Sequence, residues 1–96
     1  MLHLIFQTTD LEAILNRIDD GDAVVFFGQM LLKGRKGAEF DQTLPVFAST
    51  RHLCVLNDDL KLFGIAEDEL VEGIDIIDYE TLVDLTIKHT QSLSWL

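Results

Sequence analysis

Short apolar segments alternate with segments of helical pattern along the whole chain, and this alternation restricts the fold more than any other feature. Five segments have the length and composition of strands: Leu2 to Phe6, Ala23 to Phe27, His52 to Leu56, Ile74 to Ile77 and Ser92 to Leu96. Strands joined by helical crossovers run parallel, with helices on both faces of their sheet. The sequence therefore predicts an α/β fold with three layers, α/β/α, around a mostly parallel five-stranded sheet of the flavodoxin-like type.

Capping residues and apolar stripes mark the first and last helices. Thr9 and Glu12 have the spacing of a capping box. The first helix carries one apolar stripe, formed by Leu11, Ile14, Leu15 and Ile18. Asp78 is predicted to cap the last helix. On that helix Leu82, Leu85 and His89 share one face, and Val83 and Ile87 lie beside it.

The middle of the chain is less regular. Between Gly28 and Thr50, the apolar residues Met30 to Leu32 predict a short helix, and the segment from Ala38 to Leu44 predicts another helical turn before Pro45. Further along, Asn57 is a favourable N-cap residue. It predicts a short helix that ends at Gly64.

Length and charge restrict the domain organisation and the partners. Ninety-six residues suit one core, so we predict a single domain over residues 1–96. The net charge of −10 repels the phosphate backbone and argues against direct nucleic-acid binding. The apolar runs are too short to span a membrane. A single cysteine and an N-terminus without a secretory signal predict a cytoplasmic location.

Cys54 is the only candidate sulfur nucleophile. It lies inside an apolar strand, two residues before the strand's carboxyl end, and we interpret it as a buried and inert thiol. The alternative is a persulfide carrier, which requires solvent access and a lowered thiol pKa. Rapid alkylation of the native protein would favour that alternative.

No motif in the sequence predicts a metal or a cofactor. His52 and Cys54 project from the same strand face but are about 6.6 Å apart along the strand, and His3 and His89 belong to no ligand motif. The basic Gly34 to Gly37 loop lacks the features of a P-loop. One ligand-binding alternative stays open: the carboxyl edge of the sheet could hold a small molecule near Gly28, Asn57 and Asp78. We predict no catalytic, metal-binding or cofactor-binding residue.

The C-terminal region contains the candidate protein interface. Lys88 and His89 end the last helix, where cations interact favourably with the free carbonyl groups. Trp95 is an apolar residue near the end of the chain, so burial in its own core and burial against a partner are both open. We predict that Lys88, His89 and Trp95 form part of a docking surface.

Three blocks of residues together carry a family resemblance. They are the opening Met1-Leu2-His3, the stretch Val55 to Leu60 with Gly64, and the C-terminal block from Ile76 through His89 to Trp95. Their order and spacing over nearly the whole chain resemble the TusB/DsrH family. The resemblance implies the fold of the DsrE, DsrF and DsrH proteins.

The resemblance also implies a function. TusB-like members of this family are regarded as accessory subunits of the TusBCD sulfur relay, which takes persulfide sulfur from TusA and passes it toward TusE for 2-thiolation of wobble uridine in tRNA. The implied direct partners are TusC-like and TusD-like subunits, and the TusD-like subunit carries the working cysteine. Self-association of the isolated chain is also open.

The resemblance leaves two pathways open, because oxidative sulfur metabolism uses homologous DsrEFH subunits. Some DsrH members have a cysteine in the first helix, where this sequence has Ala13 and Ile14. That difference favours the tRNA pathway and removes the family position from which a sulfur-carrying role could be transferred. The implied role is that of a non-catalytic subunit without a cofactor.

Overall fold

All five predicted strands form one parallel sheet. The computed structural model describes residues 1–8 and 10–96. The strands are β1 (Leu2–Ile5), β2 (Ala23–Phe26), β3 (His52–Leu56), β4 (Ile74–Ile77) and β5 (Ser92–Trp95). The helices are α1 (Leu11–Leu15), α2 (Leu44–Ala48), α3 (Asn57–Phe63) and α4 (Tyr79–Lys88), with 3₁₀ segments at Gly28–Gly34 and Glu67–Glu69. The strand order is β4-β3-β2-β1-β5, and every neighbouring pair is parallel.

The strand order explains how the two faces of the sheet are covered. The chain moves in one direction from β1 to β4 and then returns through α4 to place β5 beside β1. Because such crossovers are right-handed, the first three connections lie on one face and α4 lies on the other. The core is divided accordingly: Ile14 of α1 packs with Val24 and Phe26, whereas Leu85 of α4 packs with Ala23 and Val25. The predicted three-layer α/β/α fold is confirmed.

Strand β2 shows why its sequence is continuously apolar. It lies between β1 and β3, and all four of its residues are buried. A strand covered on both faces needs apolar side chains at every position, which is the pattern of parallel sheets. The continuous apolar run of β2 therefore reflects its central position in the sheet.

The helix ends agree with the sequence in part. Asp78 caps α4 by accepting a hydrogen bond from the Thr81 backbone N–H at 2.8 Å, as predicted. Helix α1 is capped by Asp10, which accepts from the Ala13 N–H at 3.1 Å. Thr9 lies outside the described residues, and with it the predicted capping box. Asn57 does not cap α3, because Leu56 occupies the N-cap position and the helix begins at Asn57.

The segment between β2 and β3 differs most from the prediction. The short helix predicted at Met30 is a 3₁₀ segment over Gly28–Gly34. Residues 38–43 form non-helical turns, where a turn of helix was predicted. Helix α2 begins after them, at Leu44, with Pro45 in its first turn. Reading Pro45 as the end of a helix was wrong. Proline suits the first turn of a helix, because an N–H there has no intrahelical partner.

Among the described residues, no helix is long and apolar enough to cross a membrane. The longest helix is α4, with 10 residues.

Candidate functional site

Cys54 is fully buried in the middle of β3, on the face of the sheet that α4 covers. Burial, and to a smaller extent the negative charge of Asp75, raise the pKa of its thiol to about 12. The thiol is therefore protonated at neutral pH. A protonated, buried sulfur is a poor nucleophile, because the thiolate is the reactive form.

Asp75 brings a third functional group to the His52 and Cys54 side chains. In the pairing of β3 with β4, Asp75 lies directly opposite Cys54. The His52 Nε2 and Asp75 Oδ2 atoms are 2.9 Å apart. One ligand-type atom from each of the three residues lies within 4.8 Å of the others. The cluster could not be predicted from the sequence, because Asp75 belongs to a separate strand and the sequence does not show which strands pair.

A second histidine–aspartate pair lies between β1 and β2. His3 is buried, and its Nε2 lies 3.1 Å from Asp22 Oδ2. The Trp95 indole N–H donates to His3 Nδ1 at 3.3 Å. Because Nδ1 accepts a hydrogen bond, the ring proton of neutral His3 lies on Nε2. The Nε2–H group therefore donates a hydrogen bond to Asp22 Oδ2. Nothing in the sequence singled out His3, since a lone histidine in a strand has no signature.

The carboxylate of Asp22 receives further donors. It accepts from the Met1 amino group at 2.9 Å and from the Asp19 N–H at 3.1 Å. Burial raises the pKa of Asp22, but hydrogen bonds from the Met1 amino group, His3 and Asp19 lower it by more, so that the pKa is about 2. Asp22 is therefore ionised at neutral pH and joins β1 to β2.

The predicted interface residues do not form one continuous surface. Trp95 is half-buried and packs on the face covered by α1, with the Arg17 guanidinium 5.8 Å from its ring centroid. Lys88 and His89 end α4, on the opposite face. Burial lowers the pKa of His89, and the Met1 amino group and Lys88 lower it further. Lys88 is therefore the cation at this helix end.

The outer side of α4 carries an apolar stripe. Tyr79, Val83 and Ile87, at positions i, i+4 and i+8, are exposed by 56%, 55% and 75%. We call these three residues the α4 stripe. It leads toward Lys88 and His89 at the end of the same helix, so Lys88 and His89 adjoin an exposed apolar surface.

The carboxyl edge of the sheet has an open cleft of about 690 Å³. Its lining includes Phe6 and Thr8 after β1 and Met30 and Lys33 in the 3₁₀ segment. The three residues of the open ligand-binding alternative do not line this cleft. The Gly28 N–H is occupied by the Asp59 carboxylate at 2.8 Å.

The basic loop at Gly34 to Gly37 is held by the segment after α3. Arg35 lies 3.8 Å from the Glu69 carboxylate, and the Lys36 N–H donates to the Glu69 carbonyl at 2.8 Å. These contacts account for the conformation of the loop, which we interpret as an ordinary surface loop.

Two solved structures share the fold. The ychN protein from E. coli superposes with a TM-score of 0.80 and covers 98% of this chain and 97% of its own. Protein MTH1491 from Methanobacterium thermoautotrophicum, described as of unknown function, superposes with a TM-score of 0.73 and covers 97% of this chain and 95% of its own. Both are 13% identical to this sequence.

Sequence comparison gives the family. Protein TusB of Pectobacterium parmentieri is 32% identical, covering 99% of this chain and 100% of its own length. Protein TusB of Enterobacter sp. (strain 638) is 29% identical over the same shares. The model of the family described as DsrH like protein matches residues 5–92. This chain therefore belongs to the family of DsrH like proteins, as the resemblance in its sequence predicts.

Proposed function

We propose that this chain is a non-catalytic subunit of a cytoplasmic sulfur-relay complex of the TusBCD type, supporting persulfide transfer for 2-thiolation of wobble uridine in tRNA. The observation that carries the proposal is the state of Cys54. A persulfide carrier needs an exposed thiol with a lowered pKa, whereas this one is buried with its pKa raised to about 12. The working cysteine then belongs to a TusD-like partner.

The relatives support the tRNA branch over oxidative sulfur metabolism. The two relatives described above carry the name TusB and align over their whole length. The first helix has Ala13 and Ile14 where some DsrH members have a cysteine. Both observations favour a subunit that supports sulfur transfer without carrying sulfur itself.

The α4 stripe is the surface that we assign to a TusC-like or TusD-like partner. Exposed apolar side chains on one helix face often mark protein interfaces. Lys88 and His89 extend the same helix and complete the predicted docking surface on this side. Trp95 has contacts within its own chain, so we assign it a supporting role through β5.

Co-expression with TusC-like and TusD-like subunits tests the non-catalytic role. We expect a stable hetero-oligomer whose transfer of sulfur to tRNA is unchanged by Cys54→Ala and Cys54→Ser. The measurement is the fraction of 2-thiolated tRNA formed by each purified complex. Loss of transfer in both variants, with the complex intact, would overturn the accessory role.

A pair of matched substitutions tests the interface. Ile87 and Leu62 are exposed to almost the same extent, 75% and 76%, but lie on α4 and α3 respectively. Ile87→Glu is expected to release the chain from its co-expressed partners, and Leu62→Glu to leave the complex intact. Gel filtration of both complexes measures this. Equal behaviour of the two variants would contradict the assignment of the α4 stripe.

A further inference from the structure

The cluster of His52, Cys54 and Asp75 is built by the sheet itself. His52 and Cys54 are two residues apart on β3, so their side chains lie on the same face. Asp75 pairs with Cys54 across β3 and β4 and projects from that face as well. Two adjacent strands therefore place three different ligand groups on one surface.

The distances suit a metal ion. Bond lengths of about 2.0–2.1 Å to nitrogen or oxygen and about 2.3 Å to sulfur place tetrahedral zinc ligands roughly 3.3–3.6 Å apart. The His52 nitrogen and the Asp75 oxygen are 2.9 Å apart, and the three ligand atoms lie within 4.8 Å of one another. Shifts of about an ångström would bring them into coordination distance.

The exposure of His52 and Asp75 leaves room for such shifts. The side chains of His52 and Asp75 are exposed by 42% and 56%, so both can change rotamer at the surface. The Cys54 sulfur lies on the buried side of the cluster. An ion at this point would have the sulfur beneath it and an open side toward solvent.

The donor set defines the class of ion. A thiolate, an imidazole and a carboxylate are the ligands that Zn²⁺ takes in proteins, and the thiolate disfavours the hard ions Mg²⁺ and Ca²⁺. The negative charges of the thiolate and the carboxylate would balance the charge of the ion. When the thiol binds, its proton passes to solvent and its sulfur electron pair forms the bond to the metal.

We propose that His52, Cys54 and Asp75 bind a thiophilic divalent cation of the Zn²⁺ class, with water in the fourth coordination position. The site goes beyond the sulfur-relay role, since it is formed by this chain alone. It also gives the lone cysteine a function other than carrying sulfur.

Cobalt titration of the reduced full-length chain tests the proposal, because Co²⁺ is a coloured substitute for Zn²⁺. We expect one equivalent of Co²⁺ to produce a thiolate-to-cobalt charge-transfer band and the visible bands of four-coordinate cobalt. Added Zn²⁺ is expected to remove both. Absence of the charge-transfer band would overturn the site.

Variants assign the ligands. His52→Gln and Asp75→Asn are each expected to weaken Zn²⁺ affinity by at least about tenfold, the loss that even a supporting residue typically gives. Cys54→Ala is expected to abolish the charge-transfer band. Two matched controls, His89→Gln and Asp84→Asn, remove an imidazole and a carboxylate outside the cluster and are expected to bind as the wild type does.

If Cys54→Ala fails to fold, the surface variants His52→Gln and Asp75→Asn still test the site. His52 and Asp75 are exposed, so their substitutions are expected to preserve the far-UV circular dichroism of the wild type. Unchanged Zn²⁺ affinity in both folded variants would overturn the ligand set. The measurement uses the chain without partners, so its failure would leave the proposed relay function intact.

Discussion

Two histidine–aspartate pairs in the same sheet have nearly equal lengths and very different surroundings. His3 and Asp22 lie 3.1 Å apart with side chains exposed by 3% and 12%, whereas His52 and Asp75 lie 2.9 Å apart and are exposed by 42% and 56%. The first pair receives three more hydrogen bonds from its own chain. The second adjoins a buried thiol.

Burial and complete hydrogen bonding distinguish a structural pair from a candidate site. A buried polar group is costly unless its hydrogen bonds are complete, so a completed network stabilises the fold and is not free to bind a ligand. An exposed pair gains little from its own contact and can exchange that contact for a ligand. Distance alone therefore does not distinguish the two pairs, but the completeness of their hydrogen bonds does.

The largest expected effect comes from removing the buried charge. Asp22→Asn replaces a carboxylate that accepts from three donors by an amide with one acceptor oxygen. We expect the free energy of unfolding to fall by about 2–3 kcal/mol. Urea denaturation at pH 7 measures it. A change within about 0.5 kcal/mol, the range of ordinary surface substitutions, would show that the first pair is not structural.

Acid should weaken the same network. The pKa of Asp22 is about 2 in the folded chain against 3.8 for an unperturbed aspartate, so the contribution of Asp22 to stability is complete above the unfolded pKa. It is lost as pH falls through the folded pKa. By pH 3 about 1 kcal/mol of it should be gone. Comparing the urea midpoints of wild type and Asp22→Asn between pH 6 and pH 3 isolates the pH-dependent contribution of Asp22. Parallel curves for the two proteins would contradict that contribution.

Trp95 offers a smaller perturbation of the first pair. Trp95→Phe keeps an aromatic ring but removes the indole N–H, which leaves the buried His3 Nδ1 without its donor. We expect a loss of about 1 kcal/mol in the free energy of unfolding. Tyr79→Phe is the matched control, because it removes a polar group from an exposed aromatic residue and should change stability little. Equal losses in the two variants would contradict the role of the indole hydrogen bond.

The sequence predicts the elements of this fold better than their arrangement. Strands β3 and β4 begin and end at the predicted residues, because apolar and β-branched runs bounded by turn residues define them locally. Pro45 was misread, since proline is compatible both with a helix start and with a helix stop. The burial of Leu44 beside Pro45 favours the helix start, and that burial is a tertiary effect.

The candidate site could be predicted only in part for the same reason. His52 and Cys54 are visible as neighbours on one strand face, but Asp75 joins them through the register of β3 against β4. The first pair also depends on pairing, since β1 lies beside β2 and β5. Side chains that meet across strands depend on strand order, and alternation of strands and helices leaves that order open.

The smallest expected effect concerns the exposed pair in the absence of metal. A double-mutant cycle with His52→Gln and Asp75→Asn, measured by urea denaturation at pH 7 with a chelator present, should give a coupling energy of about 0–0.5 kcal/mol, because water screens the contact between exposed polar side chains. A coupling above about 1 kcal/mol would show that the pair is held for stability, like His3 and Asp22. A small coupling means that the folded chain loses little when a ligand separates His52 from Asp75, as a metal ion between them would require.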